Sequence, residues 1–488
     1  MTTLAEIIEI LAPGRAPAAA QRVAVASACV DSRLAAPGSL FVALPGERAD
    51  GHAYVEAALR GGAVAALVQR PVDGVTTLDL RPEAGPPAAD ALPPLALRVA
   101  DPLAALQRLA QARRAAQPAL RVVGVTGSVG KTTAKEAIAG VLAQRYTTLK
   151  SAGNYNNEIG LPLTLMGLKA EHQRAVLEMG MYALGEIALL CRIARPQVGV
   201  VMNVLPVHLE RLGSLERIAD AKAELVEALP PDGLAVLYGD DPLVRAMTGR
   251  TRATALTFGL GPGNHVWADG VKSEGLDGMR LVAHVAAENP LGLPPGQHPL
   301  RTTLLGQHAA LPALAAAAVG LAEGLTWDEI ARGLAALRFG LRLVPRAAIR
   351  GAMLLDDAYN ASPTSVLAAL DVLTALPGRH VAVLGDMLEL GAAEVEGHRQ
   401  VGARCAALVD ELVTVGVRAA HIVQGAQESG LAADAIHPMA TNDDAIAWLR
   451  QAVRPGDVIL VKGSRSMAME QIVAALAAPP LEEAAHAG

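Results

Sequence analysis

The residues with the clearest chemical potential lie between Val122 and Thr133. The run Val122-Val123-Gly124-Val125-Thr126 is apolar and β-branched, and Gly127-Ser128-Val129-Gly130 turns it into Lys131-Thr132-Thr133. A glycine-bearing turn between a strand and a helix can wrap a phosphate in backbone N–H groups, and the helix N-terminus adds a favourable dipole. There Lys131 would reach the β- and γ-phosphates, and the Thr132 hydroxyl would ligate Mg²⁺. The general phosphate-loop spacing puts glycine at position 125, where this chain has valine. The stretch predicts nucleotide binding, with Gly127, Ser128, Val129, Gly130, Lys131, Thr132 and Thr133 as candidates.

A second candidate is a lysine on the wrong face of a helix. After Gly213 the apolar positions are Leu215, Ile218, Leu225 and Leu229, and Lys222 completes a 3, 4, 3, 4 spacing. Lys222 is therefore expected on the buried stripe. An unpaired buried ammonium is costly, so it either finds a carboxylate or loses its proton. One reading pairs it with Glu224 or Glu227, or lets it snorkel to solvent. The other leaves a neutral, nucleophilic amine that captures CO₂ as a carbamate, an oxygen ligand suited to Mg²⁺. Glu178 follows the run Ala175–Leu177, and His208 follows the run Val198–Val204. Both stand where doubly wound sheets place ligands, beside the phosphate loop, so both are candidate metal ligands.

The elements that must position these groups fall into three blocks, 1–100, 101–335 and 336–488. The first holds strand-like Leu40–Leu44, a helix-like stretch near 53–59, strand-like Ala63–Val68, and a Pro-, Gly- and Asp-rich stretch over 71–94 that reads as a loop. The second opens with a helical pattern (Leu103, Leu106, Leu109). It then alternates apolar runs with helical segments, which argues for a parallel sheet covered by helices. Residues 260–303, rich in Gly and Pro, are expected to form a small antiparallel excursion. The third block repeats the alternation from Met353–Leu355 to Val458–Val461, with helices expected over 364–376, 396–410, 443–453 and 466–477. The fold class expected is α/β in three domains, with a central phosphate-loop-type parallel sheet and a C-terminal Rossmann-like doubly wound sheet.

Composition narrows the function classes. The chain has 488 residues, which at about 150 per domain also suggests three. With 52% hydrophobic residues but only 3 Phe, 3 Trp and 6 Tyr, its cores must be built from Ala, Val and Leu. Its 3 cysteines lie far apart, which predicts neither a disulfide scaffold nor a zinc site and fits a reducing cytoplasm. A net charge of −6 argues against a nucleic-acid surface. The opening residues carry Glu6 and Glu9 and no basic residue, so no secretory signal is expected. The longest uncharged run, near 309–322, is too short to span a membrane and contains Pro312. A soluble cytoplasmic protein without membrane insertion is expected.

These residues, taken with further motifs, resemble the Mur ligase family. Thr126–Thr132 is similar to the family's ATP loop, which departs from the general spacing as this one does. More specific are Gly153-Asn154-Tyr155-Asn156-Asn157-Glu158-Ile159-Gly160, Leu177-Glu178-Met179-Gly180, Asp356-Asp357-Ala358-Tyr359-Asn360-Ala361-Ser362-Pro363, Leu384-Gly385-Asp386-Met387 and Val461-Lys462-Gly463-Ser464-Arg465-Ser466. The resemblance covers essentially the whole chain. Within the family it points to the member that joins D-Ala-D-Ala to UDP-MurNAc-tripeptide, using ATP and Mg²⁺, in peptidoglycan precursor synthesis. It implies an N-terminal domain holding the UDP end through Ser32, Arg33, Asp50 and His52. It implies a central domain in which Thr132, Glu178 and His208 serve Mg²⁺ and Lys222 is carbamylated, which favours the second reading of that lysine. It implies a C-terminal domain closing over ATP with Arg342 and Asp357, while His308 also serves the nucleotide. Asn154, Asn156, Asn157, Asn360, Lys462, Ser464 and Arg465 would meet the substrates. A monomer is expected.

Two departures and several rivals accompany the resemblance. The family's His-Asn-x-x-Asn reads His308-Ala309-Ala310-Leu311-Pro312 here, so both asparagines of the adenine end are replaced. Leu212 stands where an aromatic is common. The rivals are the family member that adds the third residue of the same peptide, folylpolyglutamate synthase, and a catalytically dead phosphate-loop scaffold. The first lacks support because its Asp-Asn-Pro-Arg signature is missing. The second conflicts with the 31–43 pattern, and the third with intact Lys131, Thr132, Glu178, His208 and Lys222.

Overall fold

The structure, a computed structural model, describes residues 2–46, 49–85, 92–207, 209–337 and 343–478. It contains three principal sheets, in the order of the three blocks. The first has five parallel strands, ordered Ser27–Cys29, Ser39–Val42, Ala63–Val68, Leu95–Arg98, Thr77–Asp79. The stretch 71–94 thus includes a short strand, Thr77–Asp79, where the sequence suggested only a loop.

The central sheet has nine strands. Arg121–Thr126 lies between Arg174–Glu178 and Val198–Val201, all parallel, and the chain crosses sides here after visiting the edge strand Thr148–Lys150. This is the topological switch point at which such sheets bind ligands. The stretch 260–303 is antiparallel as expected, yet it is no separate excursion. Met279–Val285 and Gly296–Thr302 extend the central sheet beyond Val266–Ser273.

Small residues let the central helices pack closely, which is how a chain poor in aromatics fills its core. The helix Ala310–Ala322 is buried along nearly its whole length and packs on the phosphate-loop helix Lys131–Leu142. Being apolar all round, it has no face for water. A Cβ on Gly320 would meet Val141 Cγ1 at 2.8 Å, and one on Gly333 would meet Val141 Cα at 2.6 Å. Pro312 does not break its helix, because it sits in the first turn, where its missing N–H has no intrahelical partner to lose.

The C-terminal sheet orders Val344–Ala347, Met353–Asp357, Asp457–Lys462, Arg379–Gly385, Glu411–Val415, Ile436–Met439, parallel except for its first strand. Two neighbouring leucines join the domains. Leu304 belongs to the central core, whereas Leu305 is buried in the C-terminal core with Val372 and Leu376. Leu163 and Met166 of the helix Gly160–Met166 likewise enter the N-terminal core. No helix among the described residues is long and apolar enough to cross a membrane.

Candidate active site

The carboxyl ends of the central and C-terminal sheets face one cleft of about 730 Å³. Ser128–Thr133, Asn154, Asn156, Asn157 and Glu178 line it from the central domain, together with His308, Leu311 and Pro312. Asp357, Asn360, Lys462, Ser464 and Arg465 line it from the C-terminal domain. Sequence positions more than 300 residues apart therefore share one cavity.

The phosphate loop leaves the strand Arg121–Thr126 through Gly127, whose φ of +151° comes with a close approach. A Cβ there would lie 2.8 Å from Met202 Cβ, so a side chain does not fit. Gly130, at φ +85°, sets the left-handed turn that starts the helix. Asn203 braces the loop from the neighbouring strand end. Its Oδ1 accepts from the N–H groups of Ser128 (3.0 Å) and Val129 (2.9 Å), and its Nδ2 donates to Val129 O at 3.0 Å. Lys131 folds back on its own loop, donating to Gly127 O at 2.8 Å and Ser128 O at 3.1 Å. A phosphate would have to draw this ammonium outward.

Glu178 ends the strand Arg174–Glu178 and is 2% exposed. Its Oε1 accepts from Asn156 Nδ2 at 2.8 Å, whereas Oε2 is buried with no hydrogen-bond partner. Asn157 Oδ1 accepts from Gly160 N–H at 2.9 Å and so starts the helix Gly160–Met166.

Lys222 lies in the helix Leu215–Glu227 and is 2% exposed, as its place on the apolar stripe requires. The carboxylates that its first reading offered are committed elsewhere. Glu224 accepts from the N–H groups of Gly185 (2.6 Å) and Ala188 (2.9 Å), and Glu227 pairs with Arg250 at 2.6 Å. No described residue forms a hydrogen bond or ion pair with the Lys222 ammonium. Burial, reinforced by repulsion from Lys131, pushes its pKa well below the usual lysine range.

The C-terminal wall is internally paired. Asp357 and Lys462 are register partners on adjacent strands. Lys462 Nζ donates to Asp357 Oδ2 at 2.5 Å and to Asn360 O at 2.8 Å, while Asp357 Oδ1 is buried and unpartnered. Ser464 Oγ accepts from Leu388 N–H at 2.8 Å. The Arg465 guanidinium lies 5.6 Å from the Tyr359 ring centroid and pairs with Glu470 at 2.8 Å. Burial lowers the His308 pKa, opposed by Asp357 and assisted by Lys462.

Other candidates stand apart from the cleft. Ser32 and Arg33 occupy a short 3₁₀ turn of the N-terminal domain, where Arg33 is exposed and pairs with Asp31. Asp50 binds His52 Nδ1 at 2.7 Å, and His52 Nε2 accepts from Gln69 N–H at 2.9 Å, so both ring nitrogens hold the local turn. His208 and Arg342 lie outside the described residues. Of the replaced asparagine positions, Ala309 is buried in the core and Pro312 lines the cleft.

Sequence reasoning passed over Asn203 and three tyrosines. Asn203 follows the strand Val198–Val201, beside the phosphate-loop strand, which is the signal that had singled out Glu178. Tyr182, Tyr238 and Tyr359 all line the cleft, half of the 6 tyrosines in the chain. That concentration was hidden until the fold brought them together.

Three family models match the chain: Mur ligase family, catalytic domain, over 25–114; Mur ligase middle domain over 125–320; and Mur ligase, glutamate ligase domain, over 341–465. The chain is 37% identical over 466 residues to the UDP-N-acetylmuramoyl-tripeptide–D-alanyl-D-alanine ligase of Bacillus subtilis, covering 94% of this chain and 95% of that one. It is similar to a crystal structure of MurF from Acinetobacter baumannii, with a TM-score of 0.79, 30% identity, and coverage of 97% and 98%. It is also similar to MurF from Thermotoga maritima in complex with ADP, with a TM-score of 0.73, 28% identity, and coverage of 93% and 97%.

Proposed function

The chain belongs to the Mur ligase family, and we propose that it is the ATP-dependent ligase that joins D-Ala-D-Ala to the terminal carboxylate of UDP-MurNAc-tripeptide. The observation that carries this reading is convergence. The phosphate loop and Glu178 face Asp357, Lys462 and Arg465 across one cleft, with Lys222 buried behind it. The names of the similar proteins favour the dipeptide over a single third residue as acceptor.

The tripeptide carboxylate attacks the γ-phosphorus of ATP, the bond to the β-phosphate oxygen breaks, and ADP leaves. The acyl phosphate is then attacked by the free amine of D-Ala-D-Ala. A tetrahedral intermediate forms, the amine proton is lost, and inorganic phosphate departs as the amide closes. Such transfer depends on positioning and charge neutralisation. Lys131 turns from its loop carbonyls to the β- and γ-phosphates, and the N-terminus of the helix Lys131–Leu142 faces the same charge. Lys462, Ser464 and Arg465 receive the acceptor on the opposite wall, and Asp357 and His308 meet the nucleotide. Arg342 is assigned to the nucleotide by the family resemblance alone. Closing this cleft keeps water from the acyl phosphate.

The residues fit a divalent cation. Glu178 Oε2 is a buried oxygen without a partner, and the Thr132 hydroxyl lines the same cleft. Mg²⁺ keeps much of its water and so needs few protein oxygens. Thr132, Glu178 and His208 would hold it, and when bound it neutralises phosphate charge. Lys222 is poised to add to CO₂: its neutral nitrogen bonds the carbon, a proton leaves to solvent, and an anionic carbamate results. That anion would give the buried site the oxygen ligands it lacks.

The N-terminal domain takes the uridine end. Arg33, exposed and paired with Asp31, would turn to a diphosphate with Ser32 beside it, while Asp50 and His52 hold the turn. A nucleotide-linked substrate and ATP favour a cytoplasmic enzyme.

The test is ADP release by the purified protein with Mg²⁺, ATP and UDP-MurNAc-tripeptide, with and without D-Ala-D-Ala. Turnover dependent on both substrates, with a product of UDP-MurNAc-pentapeptide mass, is expected. Turnover with a free amino acid on the dipeptide precursor instead would overturn the assignment.

A further inference from the structure

Lys135 is 0% exposed, one turn beyond Lys131 on the phosphate-loop helix. Residues four apart share a helix face, so Lys131 heads the cleft and Lys135 lies beneath it. Burying an ammonium costs several kcal/mol unless its donors are satisfied. Here each donor has an acceptor: Ser151 O at 2.9 Å, Gly153 O at 3.1 Å and Glu136 Oε1 at 3.0 Å. The two carbonyls belong to one turn, and the long lysine side chain ties both to the helix at once.

That turn leads directly to Glu178. Ser151 Oγ accepts from Glu178 N–H at 3.2 Å. A few residues on, Asn156 O accepts from Gly180 N–H at 2.8 Å and Asn156 Nδ2 donates to Glu178 Oε1 at 2.8 Å. Gly180 permits this approach, since a Cβ on it would lie 3.1 Å from Asn156 Cγ. The Glu178 carboxylate is thus held by a turn whose backbone is pinned to the helix bearing Lys131 and Thr132.

We propose that Lys135 is a positioning residue for phosphoryl transfer: its buried ammonium ties the phosphate-loop helix to the 151–157 turn and sets where Glu178 stands relative to Lys131 and Thr132. This rests on the proposed ligase activity. Lys135 touches neither nucleotide nor acceptor. It acts through Ser151, Asn156 and Glu178, so its loss should show as a weaker demand-driven fit to Mg²⁺ rather than as a lost substrate contact.

The test uses Lys135→Met and Ser151→Ala in the full chain. Hydrogen exchange on the ligand-free proteins reads the tie without any ligation. Exchange over 151–157 should rise at least about tenfold in Lys135→Met, with distant segments unchanged. In the ligation assay both variants should lower kcat and raise the half-saturating Mg²⁺ concentration, together by about 10- to 100-fold, with the KM for D-Ala-D-Ala within about twofold of the parent. Lys135→Arg should recover part of the loss. Parental protection over 151–157 in a folded Lys135→Met protein would overturn the proposal. So would an unchanged Mg²⁺ requirement in Ser151→Ala, which decides the matter if Lys135→Met does not fold. An inactive parent protein would instead remove the ligase reading and leave the exchange result standing.

Discussion

Each wall of the cleft buries a lysine, and the two are treated in opposite ways. On the C-terminal wall Lys462 is closed off by Asp357 and Asn360 O. Behind the central wall Lys222 has no described partner, while each wall keeps one buried carboxylate oxygen bare, Glu178 Oε2 on one and Asp357 Oδ1 on the other. Unpaired buried polar groups are expensive, so a fold that keeps a bare lysine behind the phosphate loop leaves room for charge brought to it. The difference teaches which wall handles the transferring phosphate. The lysine of the C-terminal wall is neutralised within the fold, whereas that of the central wall is left for a ligand to complete.

The comparison can be broken most severely at Lys131. Lys131→Ala should lower the rate of ADP release by about 10²- to 10³-fold, measured with both substrates saturating. Wild-type release would move the phosphate-binding role to another residue.

A sharper contrast comes from removing each buried lysine. Lys222→Met should lose about 10- to 100-fold in activity, yet its melting temperature should match or exceed the parent's. Lys462→Met should destabilise by about 3–5 kcal/mol, since it strands the Asp357 carboxylate in the interior. Thermal melts measure the first and urea unfolding the second. The sign with pH also differs from a paired lysine. The folded pKa of Lys222 is depressed, so the folded protein binds fewer protons there than the unfolded chain. Stability from this site therefore falls as pH drops through the folded value, and the advantage of Lys222→Met should shrink as pH rises.

The smallest effect concerns the loop that Ser464 also holds. His398, 0% exposed, accepts from Met387 N–H at Nε2 (3.0 Å) and lies 2.7 Å from Glu394 O through Nδ1. Burial lowers its pKa, against the raising influence of Glu394 and Asp386, with His421 lowering it further. The neutral ring therefore supports the fold above the ordinary imidazole value, near about 6.5, and that support drains as pH falls through the lower folded value. Thermal melts from about pH 7 to about pH 5 should show a steeper loss in the parent than in His398→Leu.

Much of this was legible in the sequence, for physical reasons. The phosphate loop announced itself because a β-branched run, two glycines and a lysine occur at fixed offsets. Lys222 was legible as buried because helical periodicity alone places it on the apolar stripe. Its isolation was not, since Glu224 and Glu227 stand close in sequence. Only tertiary structure commits the first to Gly185 and Ala188 and the second to Arg250. The strand Ile436–Met439 was passed over because Pro438 weakens a strand pattern, and a proline is tolerated there because the strand is at the sheet edge. Thr148–Lys150, another edge strand, is too short to show a period. Lys135 looked like an ordinary helix lysine, because the carbonyls it holds lie 16 and 18 residues away.

The division between the walls is tested most directly by trapping the activated tripeptide. Borohydride reduces an acyl phosphate to the alcohol, which mass spectrometry detects. With ATP, Mg²⁺ and UDP-MurNAc-tripeptide but no D-Ala-D-Ala, the parent and Arg465→Ala should both yield the alcohol, and Lys131→Ala should yield none. Alcohol at the parental level from Lys131→Ala, or none from a folded Arg465→Ala, would contradict the assignment of carboxylate activation to the central wall.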